Sequence, residues 1–157
     1  MLYDDLLIKF GDSNPNLTIK EADLPVNKGR IKGNKIAIRR TLSTKEKGCT
    51  LAEELGHHYT TVGNILDQSD SGNRKQELKA RTWAYNELVG LDGIVSAYKH
   101  GYNELPEMAE YLDVTEEFLI EAIQRYRSKY GTSTKMDGYM IYFEPVLIVA
   151  EVAKNLA

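Results

Sequence analysis

The sequence predicts an α+β fold, on three observations. An alternating stretch carrying Ile36 and Ile38 follows the turn formers Gly33-Asn34, which makes Gly29 to Arg39 a β-hairpin. Segments on both sides of it place apolar residues at helical spacing between recognisable start and stop signals. Hydrophobic residues make up 42% of the 157 residues and charged residues 27%, the balance of a chain that buries a core without disulfides.

Leu2, Tyr3, Leu6, Leu7 and Phe10 share helical spacing, so Met1 to Phe10 reads as a short opening helix stopped by Gly11-Asp12-Ser13-Asn14-Pro15. Thr18 to Ala22 reads as a short strand, and the hairpin follows. Ser43-Thr44-Lys45-Glu46 has a hydroxyl at a cap position and a glutamate three residues on, a capping box that starts a helix running to about Thr60. Gly63 to Gly72 is polar and reads as a loop. A helix is expected from about Arg74 to Val89, with Leu78, Trp83, Ala84, Leu88 and Val89 on its apolar stripe, and another from Leu91 to His100, closed by Gly101. Leu105 to Leu112 and Thr115 to Tyr130 are two further helices separated by Asp113-Val114, and Gly131 ends the second. Tyr139 to Phe143 and Val146 to Val149 fit strand and helix patterns alike. The punctuation at Gly101 sets the expected division into residues 1–100 and a mostly helical extension, 101–157, that contains a short strand on one reading.

The net charge of −3 and the lack of any Lys/Arg run longer than a pair such as Arg39-Arg40 exclude the clustered cations that displace counterions from nucleic acid. One cysteine, Cys49, excludes an internal disulfide and a multi-thiolate zinc site, so a metal would have to use histidine and carboxylates. The start, Met1-Leu2-Tyr3-Asp4-Asp5, lacks the pattern of a secretory signal, and the longest apolar run, Pro145 to Ala150, is too short to span a bilayer. A cytoplasmic location with no membrane anchor is expected.

The chemistry concentrates in Thr50-Leu51-Ala52-Glu53-Glu54-Leu55-Gly56-His57-His58-Tyr59. Glu53 and His57 are four apart and share one helix face, where two donors can grip one ion. In an H-E-x-x-H arrangement the second residue stands beside the metal and takes a proton from water. Here Glu54 holds that place, His57 the fifth, and Glu53 stands where the first histidine would be. Pairing Glu54 with His58 instead puts Leu55 at the base position and leaves no proton acceptor. The same string also reads as two solvated carboxylates beside ordinary helix histidines. His58 points about 100° away from His57 around the helix and suits a supporting or core role. His100 suits a helix C-terminal cap, Tyr59 packing or an oxyanion contact, and Cys49 a buried small hydrophobe.

Over roughly residues 24 to 90 the chain resembles the ImmA/IrrE family of metallo-endopeptidases. The resemblance lies in the hairpin Ile31 to Ile38, in Thr50 to Tyr59, and in Glu77-Leu78-Lys79-Ala80-Arg81-Thr82-Trp83-Ala84-Tyr85-Asn86-Glu87-Leu88. It implies a zincin-like metallopeptidase core, with a short hairpin or sheet and a metal-site helix, and a metal held by the first and fifth motif residues and a downstream carboxylate. Those positions are Glu53, His57 and Glu77, with Glu54 as catalytic base. Zinc is the expected ion. Manganese is the alternative, since two carboxylates and one imidazole suit a harder cation.

What the resemblance implies about function is metal-dependent cleavage of a protein partner, a DNA-binding helix-turn-helix repressor of a mobile element, prophage or stress-response locus. The substitution at Glu53 keeps a second reading open, a protease-fold module of weak or absent catalysis that binds and regulates a repressor or toxin. A third reading takes Leu105 to Thr115 as the start of a DNA-binding helix-turn-helix, with Ala109 and a turn near Asp113. Glu116, Glu117 and Glu121 at its second helix would repel phosphates, which favours a protein-contact role and no direct nucleic acid.

Overall fold

A computed structural model describes residues 2–61 and 70–152, which divide between two compact units, Met1–Leu88 and Val89–Ala157. In the first unit, α1 (Leu2–Leu6) runs on into a π-helical segment, Leu7–Asp12, longer than the single opening helix expected. β1 (Thr18–Ala22), β2 (Gly29–Lys32) and β3 (Lys35–Arg39) form a sheet in the order β1-β3-β2. The hairpin is present: β2 and β3 pair antiparallel from Gly29↔Ile38 to Lys32↔Lys35. Gly33 has a φ of 60° and Asn34 does not share the positive φ, the combination of a type II′ turn. β1 adds to the other side of β3 in parallel, Thr18↔Lys35 through Ala22↔Arg39, so β3 is central and β1 and β2 are the two edges.

α2 (Thr44–Thr60) starts at the expected capping box: the Glu46 amide donates to Ser43 Oγ and the Ser43 amide to Glu46 Oε2, each at 3.2 Å. Its apolar face, Leu51, Ala52 and Leu55, is fully buried and packs with Ile36 and Ile38 from the inner face of β3 and with Tyr3 and Leu6 in the core of this unit. α3 spans Asp70–Leu88, so its start precedes the one expected at Arg74. Polar Asp70-Ser71-Gly72 has loop composition, but packing outweighs weak helix propensity here: Gly72 is buried within the helix. The rest of the expected loop, 63–69, lies outside the described residues. The buried stripe of α3 runs through Ala80, Ala84 and Leu88, while Leu78 is exposed.

The second unit contains α4 (Gly90–Lys99), α5 (Leu105–Leu112), α6 (Glu116–Tyr130) and a three-stranded antiparallel sheet, β4 (Ser133–Met136), β5 (Tyr139–Tyr142) and β6 (Ile148–Glu151). Within the expected extension, 101–157, the helices α5 and α6 are therefore joined by three strands where a possible short strand was expected. Met136 and Tyr139 are joined by Asp137-Gly138, both at positive φ (45° and 81°), which reverses the chain tightly enough for Ser133–Met136 to pair with Tyr139–Tyr142. Ile94, Met108, Val114, Leu119, Tyr126 and Ile141 fill its core, and the Tyr126 hydroxyl accepts the Gly90 amide at 3.1 Å. Among the described residues no helix is long and apolar enough to cross a membrane.

Candidate active site

The site depends on how closely α2 and α3 approach. A Cβ built on Gly56 would stand 2.2 Å from the Ala80 carbonyl oxygen and 2.9 Å from its carbon, so only glycine lets the two backbones meet there. The contact lies next to His57 on one helix and one turn from Glu77 on the other. It brings His57 Nε2 and Glu77 Oε2 to 3.1 Å, although twenty residues separate them in sequence. Glu77 Oε1 accepts a hydrogen bond from Arg81 Nε at 3.0 Å, so each oxygen of this carboxylate has its own partner.

Glu54 projects from α2 toward the edge strand. Gly29, the first residue of β2, faces it: a Cβ there would meet Thr50 Cγ2 at 2.5 Å and Glu54 Cγ and Oε1 at 3.1 Å. Burial in this crevice raises the Glu54 carboxyl to a pKa of about 7, and the negative charges of Glu53 and Glu77 add to the rise. Near neutral pH this group therefore shares its proton, the condition under which a carboxylate accepts and returns one efficiently.

The geometry can be compared with what a small cation requires. Zinc holds nitrogen and oxygen donors at roughly 2.0–2.2 Å, and two donors on one tetrahedral edge then stand about 3.3 Å apart. The 3.1 Å separation of His57 Nε2 and Glu77 Oε2 fits such an edge as well as a direct contact between the two side chains, and the negative charges of Glu53 and Glu77 act on Glu54. Glu53 lies one turn before His57 and is half-buried. Among the described residues no group of three or more His, Cys, Asp or Glu side chains is arranged to hold an ion, so His57 and Glu77 stand as a pair.

The remaining candidates have packing roles. Tyr59 stacks on Trp83 with centroids 5.4 Å apart, Phe10 closes on both rings, and His58 meets Tyr59 edge-on at 4.8 Å. His100 caps α4, its Nδ1 2.8 Å from the Ser96 carbonyl oxygen and its ring against Tyr111. Cys49 is buried. Sequence reasoning passed over Gly29 and Arg81. An i,i+4 Glu77/Arg81 pair on one helix was the available signal for the second; for Gly29 there was none, because its meeting with Glu54 is purely tertiary.

Residues 13–124 match the family model of the IrrE N-terminal-like domain, Peptidase_M78. Comparison with curated proteins and with solved structures returned no match.

Proposed function

The chain belongs to the IrrE N-terminal-like domain family, Peptidase_M78, and from that premise we propose that it is a metal-dependent endopeptidase with Glu54 as general base. The observation that carries the proposal is the 3.1 Å approach of His57 to Glu77 beside a carboxyl whose pKa is raised to about 7. His57, Glu77 and, from the preceding turn of α2, Glu53 are the residues that would hold the ion, zinc first and manganese as the alternative. Zinc, when bound, supplies Lewis acidity toward a carbonyl and a water. Glu54 takes a proton from that water and returns it to the leaving amine. The substrate reading is an extended segment of a protein partner, lying along β2, an edge strand whose Gly29 stands beside Glu54. The partner is a helix-turn-helix transcriptional repressor of a mobile element or prophage, met in the cytoplasm, and the helices from Leu105 to Tyr130 make protein contacts rather than DNA contacts.

A second reading has a specific observation behind it. Glu53 replaces the first motif histidine, and the described donors do not assemble into a group of three. A module that binds and regulates a repressor or toxin without efficient catalysis follows from that. Metal analysis of protein purified without chelator, together with hydrolysis of a fluorogenic peptide library, separates the two. The enzyme reading expects about one equivalent of zinc, lost in part in Glu53→Ala, and a fall of at least about 10²-fold in cleavage for Glu54→Gln with metal content retained. Cleavage unchanged by Glu54→Gln removes Glu54 as the base, and a metal-free, inactive wild type leaves the binding module.

A further inference from the structure

In the second unit, the chain leaving α4 and the outer face of α5 build a groove of about 570 Å³, lined by Tyr102, Pro106, Glu107, Glu110 and Tyr111. Met108 and Ala109 turn the opposite face of α5 into the core, so helical periodicity leaves the groove residues exposed. Both tyrosines are anchored to α4. Gly101, at a φ of 86°, turns the chain after that helix, and the Tyr102 amide donates to the Ala97 carbonyl at 3.0 Å. The Tyr111 hydroxyl lies 2.7 Å from Ser96 Oγ, and its ring stacks on His100 with centroids 5.0 Å apart. The two tyrosine rings have centroids 5.4 Å apart and planes 32° from parallel, which makes them one aromatic wall. Tyr102 and Tyr111 nevertheless remain 39% and 37% exposed.

The charge around this wall has one sign. From Gly101 to Gln124 the sequence has seven Asp and Glu residues and no Lys or Arg, although the net charge of the whole chain is only −3. Two of the seven, Glu107 and Glu110, line the groove itself. Aromatic faces and carboxylates both attract a cation, and the same charges repel the phosphates of a nucleic acid. Lysine and arginine both answer the charge. Only a planar guanidinium lies flat on a ring while its edge donates in parallel to carboxylates, so the combination of wall and acids favours arginine.

We propose that this groove binds an arginine side chain of a protein partner, with the guanidinium on the Tyr102/Tyr111 wall and its N–H groups donating to Glu107 and Glu110. This gives a partner chemistry to the reading of α5 and α6 as a protein-contact surface and rests on that reading. It requires neither the metal nor catalysis.

The test is an NMR titration of isotope-labelled full-length protein at low salt with acetyl-Gly-Arg-Gly-amide and with its lysine and citrulline counterparts. Saturable amide shifts are expected at Tyr102, Glu107, Glu110 and Tyr111, with arginine bound about threefold or more tighter than lysine or than citrulline, which keeps the shape and loses the charge. Tyr102→Ala should weaken arginine binding about threefold, whereas Tyr102→Phe, which keeps the ring, should leave it unchanged. Glu107→Gln combined with Glu110→Gln should weaken it about fivefold, and by less at high salt. Unperturbed shifts in the rest of the spectrum verify that each variant is folded. Citrulline bound as tightly as arginine, binding that none of the variants weakens, or a wild type without saturable shifts overturns the arginine site and leaves the protein-contact reading standing. Shifts of α5 and α6 on addition of duplex DNA overturn both.

Discussion

Two helix pairs, α2 with α3 in the first unit and α5 with α6 in the second, are built from similar materials and resolve their costs differently. In α5–α6 the signals at the start of each helix and the end of α5 agree with the fold. Pro106 sits in the first turn of α5, Asp113 ends it in the left-handed conformation, and Thr115 caps α6 by accepting the Phe118 amide at 3.1 Å. Met108, Ala109, Phe118 and Leu119 are buried with no charge among them. In α2–α3 a glycine occupies a helix interior, its counterpart is a backbone carbonyl, and Glu54 is half-buried near two other carboxylates. A chain tolerates such costs where they set up chemistry, and the contrast locates the site without reference to any motif.

Breaking the contact between α2 and α3 has the largest expected effect. Gly56→Ala puts a methyl 2.2 Å from the Ala80 oxygen and forces the helices apart. A loss of about 2–4 kcal/mol is expected from such overpacking against backbone. Urea unfolding followed by the fluorescence of Trp83, the single tryptophan, measures it directly. An unchanged midpoint would mean that the approach of the two helices is soft and that the His57–Glu77 distance is not fixed by it.

The buried charge gives the next effect, with a sign that depends on pH. The folded-state pKa of Glu54, about 7, lies above its ordinary value of 4.5, so its contribution is intact below about pH 4.5 and is lost as pH rises through 7. Glu54→Gln removes that loss. In the metal-free protein the variant is expected to match wild type near pH 4 and to exceed it by about 1–2 kcal/mol above pH 8, after allowance for solvent screening of a half-buried group. Equal stability of the two proteins across that range would show that Glu54 feels no net repulsion. The smallest effect belongs to the other pair. Thr115→Ala removes one cap and should cost about 1 kcal/mol, read as weaker hydrogen-exchange protection of the Phe118 amide, with no change in sign between pH 5 and pH 8.

The parts of the fold that local chemistry dictates were legible before any coordinates. The hairpin from Gly29 to Arg39 follows from Gly33-Asn34 and the alternation of Ile36 and Ile38, and the start of α2 follows from Ser43 and Glu46. The sheet at the end of the chain has a local signal in Asp137-Gly138, whereas Tyr139 to Phe143 and Val146 to Val149 by themselves fit strand and helix patterns alike. The parallel pairing of β1 with β3 had no local signal, since such pairing depends on residues far apart and not on a turn.

At the site, sequence by itself determined the residue types and their spacing. Glu53 and His57 share a face of α2 because 3.6 residues complete a turn, and Glu54 must then point elsewhere. The approach of Glu77 to His57 was decided only in the tertiary structure, because it depends on the contact of Gly56 with the Ala80 carbonyl, between two helices whose order along the chain says nothing about their separation. The raised pKa of Glu54 was decided there as well. A carboxylate on an isolated helix would be hydrated, whereas Gly29 of β2 and the carboxylates of Glu53 and Glu77 together remove water and add negative charge around it.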